Sequence, residues 1–306
     1  MNMSKSPKFE SVKTFFSHMK REFIKNKNIV GQLVKRNVKV QYRNSAIGIV
    51  WTVLNPLLNM LVMYLVFGTI FGYSSDKTYV LYLLCGNIIF NTMRGATTQS
   101  MTSLVNNRGL LTKNKIAFQV FPLSCNISAI VNFAFSYVAL LIVMMVVDTS
   151  SPFMHVFSAH MLKAILMMPA FFLFIYGVSL VLAAAYVYFR DILHFYNIFL
   201  TLWIYMTPIF YKVNTISGSF GKFFVFILKC NPMVHFVEYF RQVTYRTVAE
   251  TSITETSDEA IKQIMAIQDS VIIDTNLATL YILGIAFFAV GLLIFSVSKR
   301  NFMYKI

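Results

Sequence analysis

The sequence predicts an all-α integral membrane protein with six transmembrane helices, an N-terminal amphipathic interfacial helix and a re-entrant segment between helices 5 and 6. Of the 306 residues, 57% are hydrophobic and 13% are charged, whereas about 25% of the residues of a soluble domain are charged. Several apolar runs reach the roughly 20 residues that a helix needs to cross the hydrocarbon core of a bilayer. Helices are expected because lipid-exposed backbone must satisfy its own hydrogen bonds.

Six apolar segments define the predicted spans and form a membrane domain over residues 46–298. The segment between the fifth and sixth spans, 213–246, is interrupted by Gly218, Gly221 and Pro232, which favours a re-entrant hairpin buried in protein. Pro208 is expected to disturb the fifth helix near its outer end. The spans are predicted at 46–72, 79–104, 118–147, 159–188, 193–211 and 277–298.

The placement of lysine and arginine predicts the orientation. Residues 1–45 carry eleven of them, whereas the connections 73–78 and 148–158 carry only Lys77. The positive-inside rule therefore places the basic N-terminus (1–45) and the tail (299–306) in the cytoplasm. Six of the twelve acidic residues lie in 247–275, which we interpret as an extracellular loop. The net charge of +15 is explained by this topology and by attraction to anionic lipid headgroups. Nucleic-acid binding would explain the charge but not the six spans.

The N-terminal segment contains an amphipathic helix. Ile29, Val30, Leu33, Val34 and Val38 recur at steps of three and four, and the basic side chains gather on another side. This pattern predicts a helix in the membrane interface with its apolar face in the acyl boundary, turning into the first span at Asn44–Ser45. The alternative is a basic flank that only sets the topology.

Several classes of site are not supported by the sequence. There is no G-x-x-x-x-G-K-[ST] phosphate loop, no H-E-x-x-H and no G-x-S-x-G, so neither an ATPase nor a hydrolase site is predicted, and no metal site. Cys85, Cys125 and Cys230 are scattered in apolar runs and are interpreted as small buried hydrophobic residues. Apart from Glu238, the spans carry almost no carboxylates, which argues against an ion-coupled transporter.

The order of several short motifs resembles the type-2 ABC exporter permeases, the branch that exports lipid-linked polysaccharides, O-antigen and teichoic acids. The chain departs from that family at Ile116-Ala117, where members often have Phe-Pro. The similar motifs are the entry residues Arg36, Lys39, Tyr42, Arg43, Ser45, Gly48, Trp51 and Pro56, the turn Tyr188–Asp191, the run Thr207–Tyr211, and Asn231-Pro232 followed by Arg241.

The resemblance implies a transport subunit without its own ATPase site, in the bacterial cytoplasmic membrane. It implies a homodimer of this permease, a separate ABC ATPase subunit that binds ATP and Mg, and an undecaprenyl-linked glycan or teichoic acid as substrate; no cofactor is expected on this chain. The alternatives are a type-2 ABC exporter of a drug or small lipid, or a membrane-embedded enzyme acting on lipid-linked sugars.

Three sets of residues are candidates for function, each with a competing interpretation. Headgroup binding is assigned to Arg36, Lys39 and Arg43, which otherwise reach lipid phosphates. ATPase docking is assigned to Arg108, Lys113 and Lys115, which topology alone would also place there. Glu238 and Arg241, three residues apart, are interpreted as an ion pair on one helix, with substrate contact as the alternative. The channel lining is assigned to Tyr64, Phe67, Phe71, Arg94, Trp203, Tyr205 and Phe210, where core or interface packing of the aromatic rings is the alternative.

Overall fold

The regular structure within the described residues is entirely helical. The computed structural model describes residues 12–41, 50–63, 65–66, 77–113, 116–147, 159–211, 219–252, 275–299 and 302–305. The helices are α1 (Val12–Gln41), α2 (Val50–Met63), α3 (Lys77–Asn106), α4 (Arg108–Lys113), α5 (Val120–Val147), α6 (Ala159–Tyr188), α7 (Ile192–Met206), α8 (Ser219–Cys230), α9 (Pro232–Ser252), α10 (Leu277–Ser298) and α11 (Phe302–Lys305).

Within the described residues, three helices are long and apolar enough to cross a membrane: Val120–Met144 of α5, Leu162–Tyr188 of α6 and Leu277–Ser298 of α10. The pair Phe223–Cys230 and Pro232–Thr244 also passes this test and is bent by 86° at Asn231. These helices indicate a multi-pass membrane protein, as predicted. The number of six spans remains a prediction, since α7 is apolar but only 15 residues long.

The centre of the bundle is α3, which packs against α5, α6 and α9. Residues 81–90 of α3 are all buried. Although α3 has 30 residues, it is not among the helices with the apolar composition of a span. Its sequence carries Arg94 and a series of amide and hydroxyl side chains, so this central helix is polar along part of its surface.

The most extensive contact between two of the described helices joins α6 and α10. Gly177 of α6 faces the backbone of α10 so closely that a Cβ there would overlap Phe287, and a Cβ on Gly291 would overlap Gly177 in turn. A Cβ on Gly284 would lie 2.5 Å from the carbonyl oxygen of Ala170. Small residues let two membrane helices approach backbone to backbone, which increases their dispersion contact.

The apolar stripe of α1 packs against protein, so the prediction that it lies in the acyl boundary is wrong for the residues described. Val30 and Leu33 are buried in a cluster with Leu104, Val120 and Phe121, at the end of the bundle where α3 ends and α5 begins. An apolar stripe is buried equally well by lipid or by other helices, so periodicity does not distinguish the two. The predicted turn at Asn44–Ser45 lies outside the described residues.

The ends of α7 and α8 follow from local chemistry. Thr207, which precedes Pro208, is extended, and α7 ends just before it because the residue before a proline avoids the α region. Asn231 separates α8 from α9 and accepts a hydrogen bond from the backbone N–H of Met233 at 3.0 Å.

Cys85 and Cys125 are buried as predicted, whereas Cys230, at the bend, is exposed; for that residue the prediction is wrong.

Candidate functional site

A cavity of about 240 Å³ lies between α1, α2, α3 and α5. We call it the amide cavity, because seven of its lining residues are asparagine or glutamine. None of the described residues that line it is charged. The lining residues are Gln41 of α1, Asn55 and Asn59 of α2, Asn87, Ile88, Asn91, Thr92, Gly95 and Gln99 of α3, and Ala129, Asn132 and Ser136 of α5.

Helical periodicity brings these amides together. Asn87, Asn91, Gly95 and Gln99 follow one another at steps of four, so they share a face of α3. Steps of four also relate Asn55 to Asn59 on α2, and Asn132 to Ser136 on α5. Three polar stripes therefore meet in one place, and the rest of α3 is left to form the apolar core.

Hydrogen bonds between neighbouring amides orient the lining. Asn91 donates from Nδ2 to Oδ1 of Asn87 at 2.7 Å, and Asn132 donates from Nδ2 to Oε1 of Gln41 at 3.0 Å. Each carboxamide carries two N–H donors and an oxygen with two acceptor positions. The cavity wall therefore presents donors and acceptors side by side without a net charge.

A second polar site lies deep in the apolar core, and we call it the arginine junction. Arg241 of α9 donates from Nη1 to Oε1 of Glu238 at 2.8 Å, and both side chains are 1% exposed. The guanidinium also donates to the carbonyl oxygens of Pro208 (2.8 Å), Tyr82 (3.2 Å) and Ile209 (3.3 Å). A buried arginine needs such partners, since an unpaired buried charge is very costly.

Tyrosines of α3 complete this junction. The guanidinium carbon of Arg241 lies 3.5 Å from the ring centroid of Tyr82, a cation–π geometry. The Tyr82 hydroxyl donates to the carbonyl of Tyr211 at 2.8 Å, and the Tyr79 hydroxyl donates to that of Phe210 at 2.8 Å. A Cβ on Gly86 would lie 2.8 Å from Nη2 of Arg241. The junction thus fixes residues 207–211 between α3 and α9, and its contacts indicate a structural role.

The predicted headgroup residues are only partly described. Arg43 lies outside the described residues. Arg36 and Lys39 are exposed on α1, and Arg36 donates from Nη2 to Oδ1 of Asn107 at 2.8 Å. Because Asn107 separates α3 from α4, this bond connects the basic side of α1 to the point where α3 ends and α4 begins.

The predicted docking residues lie at α4. Arg108 is the first residue of this helix and is exposed, and the neighbouring Leu110 is 38% exposed. Leu111 is buried in the cluster that holds α1, so one side of α4 is anchored and the other is open. Lys113 ends the helix, but its side chain is not among the described ones, and Lys115 lies outside the described residues.

The predicted channel residues do not line the amide cavity where they are described. Arg94 is exposed on α3 next to the lining residue Gly95. Trp203 is half-buried and donates from Nε1 to Oδ1 of Asn231 at 2.9 Å, Tyr205 is 62% exposed, and Phe210 is half-buried. Tyr64, Phe67 and Phe71 lie outside the described residues.

Sequence reasoning missed the amides of the cavity itself. Their signal is present in the sequence: asparagines at a spacing of four occur in each of the first two predicted spans, at 55 and 59 and at 87 and 91. Polar residues inside a membrane helix are expensive and mark functional paths, and this holds for amides as well as for charged residues. Among the described residues, no group of three or more His, Cys, Asp or Glu is placed to hold a metal ion.

Most of the chain is similar to known proteins. The family model for the ABC-2 type transporter matches residues 29–245, which include the cavity and the junction. The chain is 29% identical over 225 residues to the O-antigen export system permease protein RfbA of Myxococcus xanthus, covering 74% of this chain and 83% of that protein. Two proteins of the same name from Klebsiella pneumoniae are 23% and 24% identical, each covering 69% of this chain and 78% of the relative.

Proposed function

The chain belongs to the ABC-2 type transporter family, and from that premise we propose that it is the permease subunit of an ABC exporter for a cell-surface polysaccharide. The similarity to three relatives named O-antigen export permease carries this proposal. The family match covers residues 29–245, so the likeness extends from α1 through the bent pair α8 and α9. The polymer crosses the bacterial cytoplasmic membrane attached to an undecaprenyl-type lipid.

The energy for export comes from a separate ABC ATPase subunit, which binds ATP and Mg. This chain has no phosphate loop of its own, and members of the family are transport subunits. The exposed side of α4, with Arg108 and Leu110, is the docking surface for that subunit. This assignment is supported by Leu111, which anchors α4 in the apolar cluster of α1 and α5. A displacement of the exposed side of α4 would therefore be transmitted to that cluster.

The assembly is a homodimer of six-span permeases whose termini are cytoplasmic. The lysine and arginine placement supports this orientation, and an even number of spans agrees with it. The lipid pyrophosphate binds Arg43, Arg36 and Lys39, because arginine in particular binds phosphate oxygens through two donors.

Reconstitution in proteoliposomes with the ATPase subunit tests this function. We expect ATP-dependent movement of a polyprenyl-pyrophosphate-linked polysaccharide across the bilayer, measured by accessibility of the polymer to an external lectin. The same vesicles with an ATPase that binds but does not hydrolyse ATP are the control. Drug or small-lipid efflux without movement of any lipid-linked polymer would overturn the proposal.

The headgroup role has its own experiment. Arg43→Ala is expected to abolish export while the ATPase subunit still co-purifies, because the substrate loses its phosphate ligand and the docking surface is unchanged. Normal export by Arg43→Ala would refute the role of that residue without affecting the assignment of the subunit.

A further inference from the structure

We propose that the amide cavity binds a short uncharged stretch of the exported glycan, one or two sugar rings at a time. This inference rests on the proposed function and specifies its substrate: a neutral, hydroxyl-rich polysaccharide in preference to a phosphate-rich polymer. The cavity lies within the part of the chain that matches the transporter family.

The first argument is the concentration of amides in one place. Seven asparagine and glutamine side chains line one cavity between helices that otherwise bury apolar surface. Asn87 is buried, Asn132 is half-buried and the other five amides are exposed, so most of these side chains are open to a ligand. Packing of one helix on another does not require so many amides; the contact between α6 and α10, for example, is built from glycines. The concentration of amides therefore points to a ligand that needs hydrogen bonds.

The second argument is chemical matching. A sugar hydroxyl both donates and accepts a hydrogen bond, and a carboxamide does the same through adjacent atoms. The bond from Asn91 to Asn87 holds both amides in one orientation, so their remaining donor and acceptor positions are set before a sugar arrives. Ile88 and Ala129 add apolar surface for the C–H face of a sugar ring.

The third argument is charge. A site for a phosphate-rich polymer would require arginine or lysine in its wall, and the described lining residues contain neither. Arg94 is nearby on α3 and exposed, but its side chain is not part of the lining. The wall is likewise without carboxylates, so a positively charged ligand is not matched either.

The fourth argument is size. The volume of about 240 Å³ falls below the roughly 300–1,000 Å³ of pockets that enclose drug-sized ligands. A whole repeat unit of a polysaccharide is larger than such a ligand, so the cavity contacts a short stretch of the chain. Weak binding of each stretch suits a polymer that must move on, because a tightly held sugar would stop transport.

Gly95 provides a sharp test. It lines the cavity, and a Cβ placed on it would meet no atom within 4 Å, so Gly95→Leu fills the cavity without displacing backbone. Gly31 of α1 is the matched control: it is also helical, exposed and without a neighbour within 4 Å, but it lies outside the cavity. Both substitutions replace a helical glycine by the same side chain.

Binding is measured by saturation-transfer NMR on the permease held with its ATPase subunit in lipid nanodiscs. The uncharged probes are hexasaccharides of glucose, mannose and rhamnose, and the anionic probe is a hexamer of glycerol phosphate. We expect wild type and Gly31→Leu to bind at least one sugar probe and Gly95→Leu to bind none. The nearly isosteric Asn91→Asp should weaken sugar binding about fivefold, the factor that corresponds to one ordinary hydrogen bond.

Each contrary result overturns a defined part of the inference. Sugar binding by Gly95→Leu equal to that of wild type would place the site elsewhere, and tighter binding of the glycerol phosphate hexamer would refute the neutral class. Failure of the proposed function has a different signature, since wild type would then bind sugars at the cavity yet move no lipid-linked glycan with ATP. Conversely, unchanged export by Gly95→Leu in proteoliposomes refutes the cavity and leaves the exporter intact.

Discussion

Arg241 and Glu238 form a fully buried ion pair one helical turn apart, with 2.8 Å between Nη1 and Oε1. The pair does more than connect two positions of α9. Through Arg241 it reaches the carbonyl oxygens of Tyr82, Pro208 and Ile209. These carbonyls belong to α3 and to the segment after α7, where helical hydrogen bonding ends. Two of the three acceptors, the carbonyls of Pro208 and Ile209, therefore lie beyond the end of α7, where helical donors are lacking.

Removing the two partners of this pair is expected to have unequal effects. Arg241→Met leaves Glu238 buried and takes the donors from three carbonyls, so we expect a loss of about 3–5 kcal/mol of stability. Glu238→Gln keeps an acceptor oxygen and should cost less. Thermal unfolding of the purified protein in detergent measures both.

The double variant Glu238→Gln with Arg241→Met is the control for this prediction. Because it removes both charges, it should be more stable than Arg241→Met alone, which reflects coupling between the two residues. Strictly additive effects would contradict a direct interaction and would place the role of Arg241 in its carbonyl contacts alone.

Close packing of α6 on α10 gives a second prediction. Gly177→Ala and Gly291→Ala each introduce a methyl group against the backbone of the opposing helix, so each should destabilise the protein by about 1–3 kcal/mol. Gly31→Ala, with open space around it, is the control and should be neutral or stabilising by about 0.5–1 kcal/mol. Equal melting temperatures for all three variants would show that the two helices separate without cost.

The sequence predicts local features of these sites and leaves the long-range ones open. The spacing of Glu238 and Arg241 predicts their pairing, and the structure confirms it. Their carbonyl partners lie 32 to 159 residues away along the chain, and no periodicity encodes such contacts. The multi-pass helical class depends only on the lengths of the apolar runs, which is why the sequence predicts it correctly.

The error at α1 has a physical origin. The stripe of Val30 and Leu33 on α1 predicts a buried face, but apolar side chains give the same signal whether lipid or protein buries them. The aromatic rings of α7 are ambiguous in the same way, so their assignment to the channel stays a prediction. Amides are more informative than apolar side chains, because few environments inside a membrane protein accommodate them.

The bond between Arg36 and Asn107 separates two roles for the basic side of α1. If Arg36 holds the junction of α3 and α4, Arg36→Ala and Asn107→Ala should reduce coupling between ATP hydrolysis and transport alike. The stability effect should remain below about 1 kcal/mol, since the pair is exposed. The measurement is the ratio of polymer moved to ATP hydrolysed in proteoliposomes.

Lys39→Ala is the comparison for this third prediction, because Lys39 is an exposed basic neighbour on the same helix. Coupling should be normal in this variant if Arg36 acts through Asn107. If Lys39→Ala matches Arg36→Ala while Asn107→Ala behaves as wild type, the residue acts on phosphate headgroups instead, as its place in the sequence predicts.

Trp203 is predicted from the sequence to line the channel, and its indole provides a direct test of that role. Its Nε1–H donates to Oδ1 of Asn231 at 2.9 Å, and Asn231 in turn caps the start of α9 by accepting from the N–H of Met233.

Trp203→Phe keeps an aromatic ring but removes the donor, so an anchoring role predicts a loss of about 1 kcal/mol in stability with near-normal export. Trp203→Leu should lower stability further, since the ring also packs edge-on against Phe90. Melting temperature and polymer flux are measured on the same preparations, with Phe195→Leu as the control, because Phe195 is an exposed ring of α7 outside the predicted channel set. If Trp203→Phe instead lowers flux at unchanged melting temperature, the indole contacts the moving glycan and the prediction from the sequence is the right one.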